Sequence, residues 1–286
     1  MSSLTQLVTE ELAQPVDPRV RAMAAALAAR YPGAARAVLF YGSCLRESQL
    51  DGLMLDFYLI VSDYRAAYGK SWLARANQLV PPNVFPFEQD GLIAKFAVLS
   101  EADFYRLNGP ETRNVSVWAR FAQPARLVWS ADADAEAKAV AAVARAAPTL
   151  LAAAGPVKGE APLDWWRRAF ALTYSVELRA ERKSRSQSVI DADPERYARF
   201  GAAAVAAIPA GAKSGDWARR RIEGKLLSVA RLAKAAFTYS GGIDYLAWKI
   251  NRHAGTQIEI KPWQRKWPLV AALVLVPKLL AKGAVR

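Results

Sequence analysis

Two apolar runs on either side of a Gly-Ser turn constrain the fold of this sequence more than any other feature. The first run, residues 38–41, leads directly into Gly42-Ser43, and the second run spans residues 53–61. Asp56 is the only charged residue of the second run. The pattern predicts a buried strand, a tight turn and a second buried strand that holds one carboxylate among apolar neighbours.

This arrangement matches what nucleotide transfer requires. Backbone N–H groups of a turn and a Ser hydroxyl can contact a triphosphate, and an acidic side chain on the next strand can hold Mg²⁺. Tyr41, Gly42 and Ser43 are therefore candidates for nucleotide binding, and Asp56 is the candidate metal ligand. The alternative is that Gly-Ser simply joins two strands and that Asp56 is a solvated acid.

A third apolar run, residues 92–99, contains one cation, Lys95. A lysine within a buried strand needs an anionic partner, and the β- and γ-phosphates of a nucleoside triphosphate would provide one. The alternative is an edge strand whose ammonium group reaches water.

The remaining patterns predict an α+β fold, in which a mixed sheet is flanked by helices. Three prolines, Pro81, Pro82 and Pro86, predict an extended loop. Beyond residues 155–159, where Gly, Pro and Lys gather, the pattern is mainly helical. Helices are expected over residues 18–30, 65–78, 114–121 and 131–154, the last interrupted at Pro148, and after a cap at Ser100, with a further strand over residues 126–129.

Charge is concentrated at the end of the 286-residue chain, whose formal net charge is +13. Residues 211–286 hold 15 Lys and Arg against 4 Asp and Glu, which gives a net charge of 15 − 4 = +11. A basic segment of this kind seeks phosphate, either on nucleic acid or on lipid head groups. The single histidine, His253, excludes a histidine metal cluster and a serine-histidine triad elsewhere.

The last residues have the composition of a helix that lies on a membrane. Trp263 and Trp267 stand beside cations, and a short apolar segment of 11 residues follows between Lys266 and Lys278. That segment is about half of a bilayer span, so we expect no membrane crossing. The alternative is a C-terminal helix packed into the core. We therefore expect three parts: a domain over residues 1–155, a helical domain over 156–262 and an amphipathic tail over 263–286.

Four motifs stand in a fixed order along the chain: Phe40-Tyr41-Gly42-Ser43, Met54-Leu55-Asp56-Phe57, Leu92-Ile93-Ala94-Lys95-Phe96-Ala97-Val98 and Trp118-Ala119-Arg120-Phe121-Ala122-Gln123-Pro124. In this order and spacing they resemble the mitochondrial-type phosphatidate cytidylyltransferase family. The resemblance is strongest over residues 35–130 and thinner over 172–179 and 221–249. It implies a nucleotidyltransferase domain joined to a mostly helical one, in a peripheral enzyme at the cytoplasmic face of the membrane. Such enzymes make CDP-diacylglycerol from CTP and phosphatidic acid with Mg²⁺.

The resemblance also suggests roles for residues outside the first two strands. Arg120 and Arg179 are candidates for a substrate phosphate, although Arg120 is equally suited to a structural ion pair. A second metal ligand is missing from the Asp56 strand, and the candidates are Asp51, Asp63 and Glu177. Glu177 is favoured because an acid stands at its position in the family.

The sequence departs from the family at three places. Cys44 stands where the family usually has Gly, Leu73 follows Trp72 where the family has His, and Val176-Glu177 replaces Gly-Asp. These changes indicate a distant branch of the family. A nucleic-acid-binding protein on a degenerate nucleotidyltransferase scaffold is the alternative. Asp56 beside Gly42-Ser43 and the Trp-flanked tail favour the enzyme, so no nucleic-acid partner is expected.

Overall fold

The computed structural model describes residues 3–46, 49–69, 71–176, 189–212, 214–238 and 259–266. Five strands form its sheet: β1 (Ala35–Tyr41), β2 (Met54–Val61), β3 (Asn83–Gln89), β4 (Leu92–Ser100) and β5 (Ala125–Ser130). The helices before β5 are α1 (Leu4–Leu12), α2 (Pro18–Ala29), α3 (Tyr64–Tyr68), α4 (Trp72–Leu79), α5 (Glu101–Leu107) and α6 (Trp118–Phe121). Those after it are α7 (Ala133–Ala144), α8 (Ala146–Ala154), α9 (Pro162–Tyr174), α10 (Pro194–Ala206), α11 (Trp217–Thr238) and α12 (Pro262–Lys266).

The sheet is mixed, with the strand order β3-β4-β2-β1-β5. Strands β2 and β4 are parallel, whereas the other neighbouring pairs are antiparallel. A parallel pair needs a crossover connection, and α3, α4 and β3 provide it. The expected α+β fold, a mixed sheet with flanking helices and a helical C-terminal region, is confirmed.

Side chains alternate between the two faces of the sheet, and each face has its own apolar cluster. On one face Leu39 of β1, Tyr58 and Ile60 of β2 and Leu99 of β4 pack with α1 and with the helices from α5 to α10. The opposite face packs with α2, α3 and α4. Asp56 lies two residues before Tyr58 and so points to the first face, beyond the end of its apolar cluster.

The predicted strands are confirmed, but the loop expected around the prolines is wrong. Residues 83–89 form strand β3, in which Phe85 pairs with Phe96 and Pro86 pairs with Lys95. Pro86 is compatible with a strand because β3 is at the edge of the sheet, where a missing N–H group leaves no partner unsatisfied.

Two predicted helices are each divided. The helix expected over residues 65–78 is interrupted at Gly69, whose φ of 65° ends α3. The helix expected over residues 131–154 breaks at Arg145 and not at Pro148, because Pro148 falls in the first turn of α8, where proline is tolerated. By length and composition residues 133–154 could span a membrane, yet most of that stretch is buried in the fold.

Helices on both sides of the expected boundary near Gly155 share one core. Trp166 and Phe170 of α9 and Tyr197 of α10 belong to the same apolar cluster as Leu4 of α1. Gly155 itself follows α8 with a φ of 68°. The division into domains at this position stays a prediction, and residues 267–286 of the expected tail lie outside the described residues.

Candidate functional site

Three side chains of the predicted site lie in one row across the sheet. Tyr41 at the end of β1 is paired with Asp56 near the start of β2, and Asp56 is paired with Lys95 of β4. Because paired residues of neighbouring strands point to the same face, the three side chains emerge together beside the helices of the first face. The sheet register thus brings together residues that are up to 54 positions apart in sequence (95 − 41).

Asp56 and Lys95 form an ion pair, with Lys95 Nζ 3.0 Å from Asp56 Oδ1. Their side chains are 21% and 26% exposed, so the pair is accessible from one side but largely screened by protein. Strand β4 lies between β3 and β2, which makes the edge-strand alternative for Lys95 wrong. The anionic partner that a lysine in this position requires is Asp56.

Gly42 brings the backbone of the turn against the Asp56 carboxylate. Its φ is 98°, a conformation that side-chain-bearing residues rarely adopt. A Cβ atom at this position would lie 3.2 Å from Asp56 Oδ2. Ser43 follows directly and begins the short 3-10 helix Ser43–Arg46. The Gly-Ser turn and the acid of the next strand are therefore adjacent in space, as the sequence predicts.

Tyr41 connects this row to Arg120. The Tyr41 hydroxyl is hydrogen-bonded by the Arg120 guanidinium, which also donates to the carbonyl oxygen of Ser116. Burial, and then the Asp56 and Tyr58 side chains, raise the pKa of Tyr41 well above its ordinary value, while Arg120 opposes that shift. Tyr41 is therefore neutral at physiological pH and serves as a hydrogen-bonding partner of Arg120.

Two of the other candidate acids, Asp51 and Asp63, do not join Asp56. Asp51 is exposed and pairs with Arg19 at 3.1 Å. Asp63 caps α3, where its carboxylate accepts from the N–H groups of Arg65 and Ala66. Asp63 also follows the opposite end of β2, about 20 Å along the strand from Asp56. Glu177 and Arg179 lie outside the described residues.

The residues that are present fit a magnesium ion that arrives with a substrate. Asp56 Oδ1 is buried and, within the described part of the chain, accepts no hydrogen bond, although Lys95 Nζ is close to it. No group of three or more acidic, histidine or cysteine side chains that could hold a metal is found among the described residues. Mg²⁺ commonly binds one or two carboxylates and completes its octahedron with waters and substrate phosphates. Asp56 is the residue that would hold it.

The sequence did not predict that Arg231 and Lys234 of α11 donate hydrogen bonds to the segment before β3. Arg231 donates to the carbonyl of Pro81 at 2.6 and 2.9 Å, and Lys234 donates to those of Val80 and Pro82. The signal was weak, because an isolated basic residue on a helix is ordinarily solvated. These contacts fasten α11 to the start of β3, which is next to the strand of Lys95.

A cleft elsewhere in the protein contains none of the predicted site residues. It runs along β5 between α1, α2 and α7, and its polar lining includes Thr9, Arg21, Ser130 and Glu136. We take the row of Tyr41, Asp56 and Lys95, with the turn at Gly42, as the candidate active site.

None of the known protein-family models matches the chain, and no curated protein matches it.

Proposed function

We propose that the protein is a Mg²⁺-dependent nucleotidyltransferase that transfers a cytidylyl group from CTP to phosphatidic acid or a related lipid phosphate. The observation that carries the proposal is the row of Tyr41, Asp56 and Lys95, with Gly42 against the Asp56 carboxylate. A glycine turn beside a strand-borne acid supplies a place for a triphosphate and its metal. Cytidine and the lipid acceptor rest on the family resemblance of the sequence.

The residues have distinct roles in this proposal. The turn at Gly42 and Ser43 receives the triphosphate through backbone N–H groups and the Ser43 hydroxyl. Asp56 would hold Mg²⁺, which when bound would supply neutralisation of charge on the phosphates. Lys95 turns from Asp56 to the β- and γ-phosphates, because its four-carbon side chain carries the ammonium through a wide arc.

Arg120 assists the approach of two anions. A phosphate monoester is already anionic at neutral pH, so the acceptor needs cations more than it needs a strong base. Tyr41 and the Ser116 carbonyl fix the Arg120 guanidinium beside the row, where it can meet the acceptor phosphate. Catalysis then depends mainly on positioning and on charge neutralisation, as is general for transfer at phosphorus.

The test is a pyrophosphate-release assay of the full chain with Mg²⁺, in which each of the four nucleoside triphosphates is combined with several lipid phosphates. We expect release with CTP and phosphatidic acid and formation of a CDP-lipid. Release with another triphosphate would correct the base, and release with another acceptor would correct the lipid. If no combination releases pyrophosphate, the proposed function is wrong.

A further inference from the structure

Helix α11 exposes large apolar side chains along one face. Ile222, Leu226 and Val229 are 65%, 66% and 45% exposed. Their spacing of i, i+4 and i+7 places them on a single stripe of the helix. The three side chains are therefore a continuous apolar surface and not scattered exceptions.

The same helix is attached to the rest of the protein by its opposite face, which is largely polar. Arg220 donates to the carbonyl oxygen of Arg113 at 2.8 Å, and Arg231 donates to that of Pro81. Between them Gly224 packs so closely on Val176 that no Cβ would fit. Residues 220, 224 and 231 follow the i, i+4 and i+11 spacing of one face, about half a turn from the apolar stripe.

This orientation is the reverse of that of an ordinary surface helix, which buries its apolar face and exposes its polar one. Hydrogen bonds to backbone carbonyls and the packing of Trp217 on Trp118 hold α11 in place, so its apolar stripe contributes little to the fold of the described residues. A contiguous apolar surface of this kind on an anchored helix marks a site that contacts another protein or a membrane.

Cations border the stripe. Arg219, Arg221 and Lys225 are exposed beside it, and Arg219 pairs with Glu223 at 2.8 Å. Arg221 and Lys225 form no ion pair with an acid of the described residues. The border therefore selects an anionic surface. It disfavours a two-fold dimer through this face, since each copy would bring its cations against those of the other.

We propose that the outer face of α11, defined by Ile222, Leu226 and Val229 with the cations Arg219, Arg221 and Lys225, docks on an anionic lipid bilayer. The apolar stripe enters the boundary between head groups and acyl chains, and the cations contact anionic head groups; two weak signals together give stable attachment. Nucleic acid would engage the cations but would leave the stripe in water. That lipid phosphate is also the substrate rests on the proposed function, whereas the docking does not require it.

The experiment is co-sedimentation of the full chain with vesicles, without CTP or Mg²⁺. One set of vesicles is phosphatidylcholine alone and the other contains phosphatidylserine. We expect binding to the anionic vesicles that weakens with salt, and a loss of about tenfold or more in the variant with Ile222→Ser, Leu226→Ser and Val229→Ser. The matched control is Val157→Ser with Val205→Ser, since both valines are exposed elsewhere; it should bind like the wild type.

A dye attached at Leu226→Cys measures contact of the α11 face with vesicles even if the triple variant fails to fold. Cys44 is buried, so an environment-sensitive dye will react at the exposed thiol of Leu226→Cys. Its emission should shift to the blue when anionic vesicles are added. No shift, or emission that is already that of an apolar site without vesicles, would overturn the proposal, the latter because another part of the chain then covers the stripe.

Other outcomes would show that a second copy of the chain or nucleic acid, and not a bilayer, binds the outer face of α11. The proposal would be overturned if the triple variant bound vesicles as fully as the wild type does. It would also be overturned if the wild type were a dimer that the triple variant converts into a monomer, or if the protein bound duplex DNA more tightly than anionic vesicles. Because no nucleotide is present, failure of docking is distinguishable from failure of the proposed function. Arg221→Gln with Lys225→Gln should reduce binding to anionic vesicles several-fold and leave any binding to phosphatidylcholine unchanged.

Discussion

Asp56 and Lys95 face each other across the parallel strands β2 and β4, with the Lys95 ammonium 3.0 Å from a carboxylate oxygen of Asp56. Each group therefore neutralises the other. A triphosphate that binds with a metal ion offers both of them new partners at once: a cation for the carboxylate and phosphate oxygens for the ammonium. In the proposed function, ligand binding would therefore exchange this ion pair for contacts with the metal and the phosphates.

Replacement of Lys95 by methionine should weaken CTP binding about tenfold or more, because the triphosphate loses a cation that it would otherwise meet. Binding of phosphatidic acid should change less. Lys138→Met is the matched control, since Lys138 is an exposed lysine whose partners are Glu101 and Asp134. Calorimetric titration with CTP measures the effect. An unchanged CTP affinity in Lys95→Met would return Lys95 to a purely structural role.

Gly42→Ala should abolish activity while leaving most of the fold intact. The new methyl group would lie 3.2 Å from Asp56 Oδ2 and displace the carboxylate, in addition to the strain of a positive φ. Gly33→Ala is the control, because Gly33 also has a positive φ but nothing lies within 4 Å of its Cβ position. Both variants should lose about 1 kcal/mol of unfolding free energy from backbone strain, and Gly42→Ala alone should lose turnover. Equal activities would contradict the assigned site.

The sequence was sufficient to predict the parts of the site that neighbouring strands bring together. Tyr41 and Asp56 lie on consecutive strands that pair directly, Gly42 follows Tyr41, and Lys95 stands at the equivalent depth of the third predicted strand. Strand β3 was not predictable in the same way, because Pro81, Pro82 and Pro86 favour a loop and residues 84–87 are apolar without alternation. The reversed orientation of α11 was also hidden, because it depends on carbonyl groups near residues 81 and 113 that are far away in sequence.

The N-terminal helix and the C-terminal helical region should unfold together. Arg196 of α10 and Glu11 of α1 form a buried ion pair, in which Arg196 also donates to the carbonyl of Ala122. Glu11→Ala leaves a buried guanidinium without its carboxylate and should cost about 3–5 kcal/mol. Glu10→Ala, at an exposed neighbouring acid, should cost less than about 0.5 kcal/mol. Chemical denaturation measures both; a small effect of Glu11→Ala would mean that the two parts are energetically independent.

Lys234 should make the stability of the folded protein depend on pH. Burial, and then the nearby Arg231, lower the pKa of Lys234 from 10.5 to about 7. Between these values the unfolded chain binds more protons than the folded one, so the contribution of this group to stability rises with pH from about 7 to about 10.5 and is constant below that window. Lys234→Gln keeps a donor for the carbonyls but removes the titration. The wild type should therefore gain thermal stability relative to Lys234→Gln between pH 6 and pH 9; parallel curves would mean that Lys234 is not buried against the loop.

In the proposed reaction Asp56 supports transfer of the cytidylyl group of CTP to an oxygen of a lipid phosphate, as the bond from the α-phosphorus to pyrophosphate breaks. The direct measurement is to incubate the full chain with Mg²⁺, phosphatidic acid and CTP labelled either at the α- or at the γ-phosphorus. The α-label should enter the lipid and the γ-label should leave as pyrophosphate. Asp56→Asn should lower the rate about 100-fold or more, because an amide lacks the charge that holds the metal, whereas Asp51→Asn should be active. A γ-label in the lipid, or full turnover by Asp56→Asn, would contradict the account.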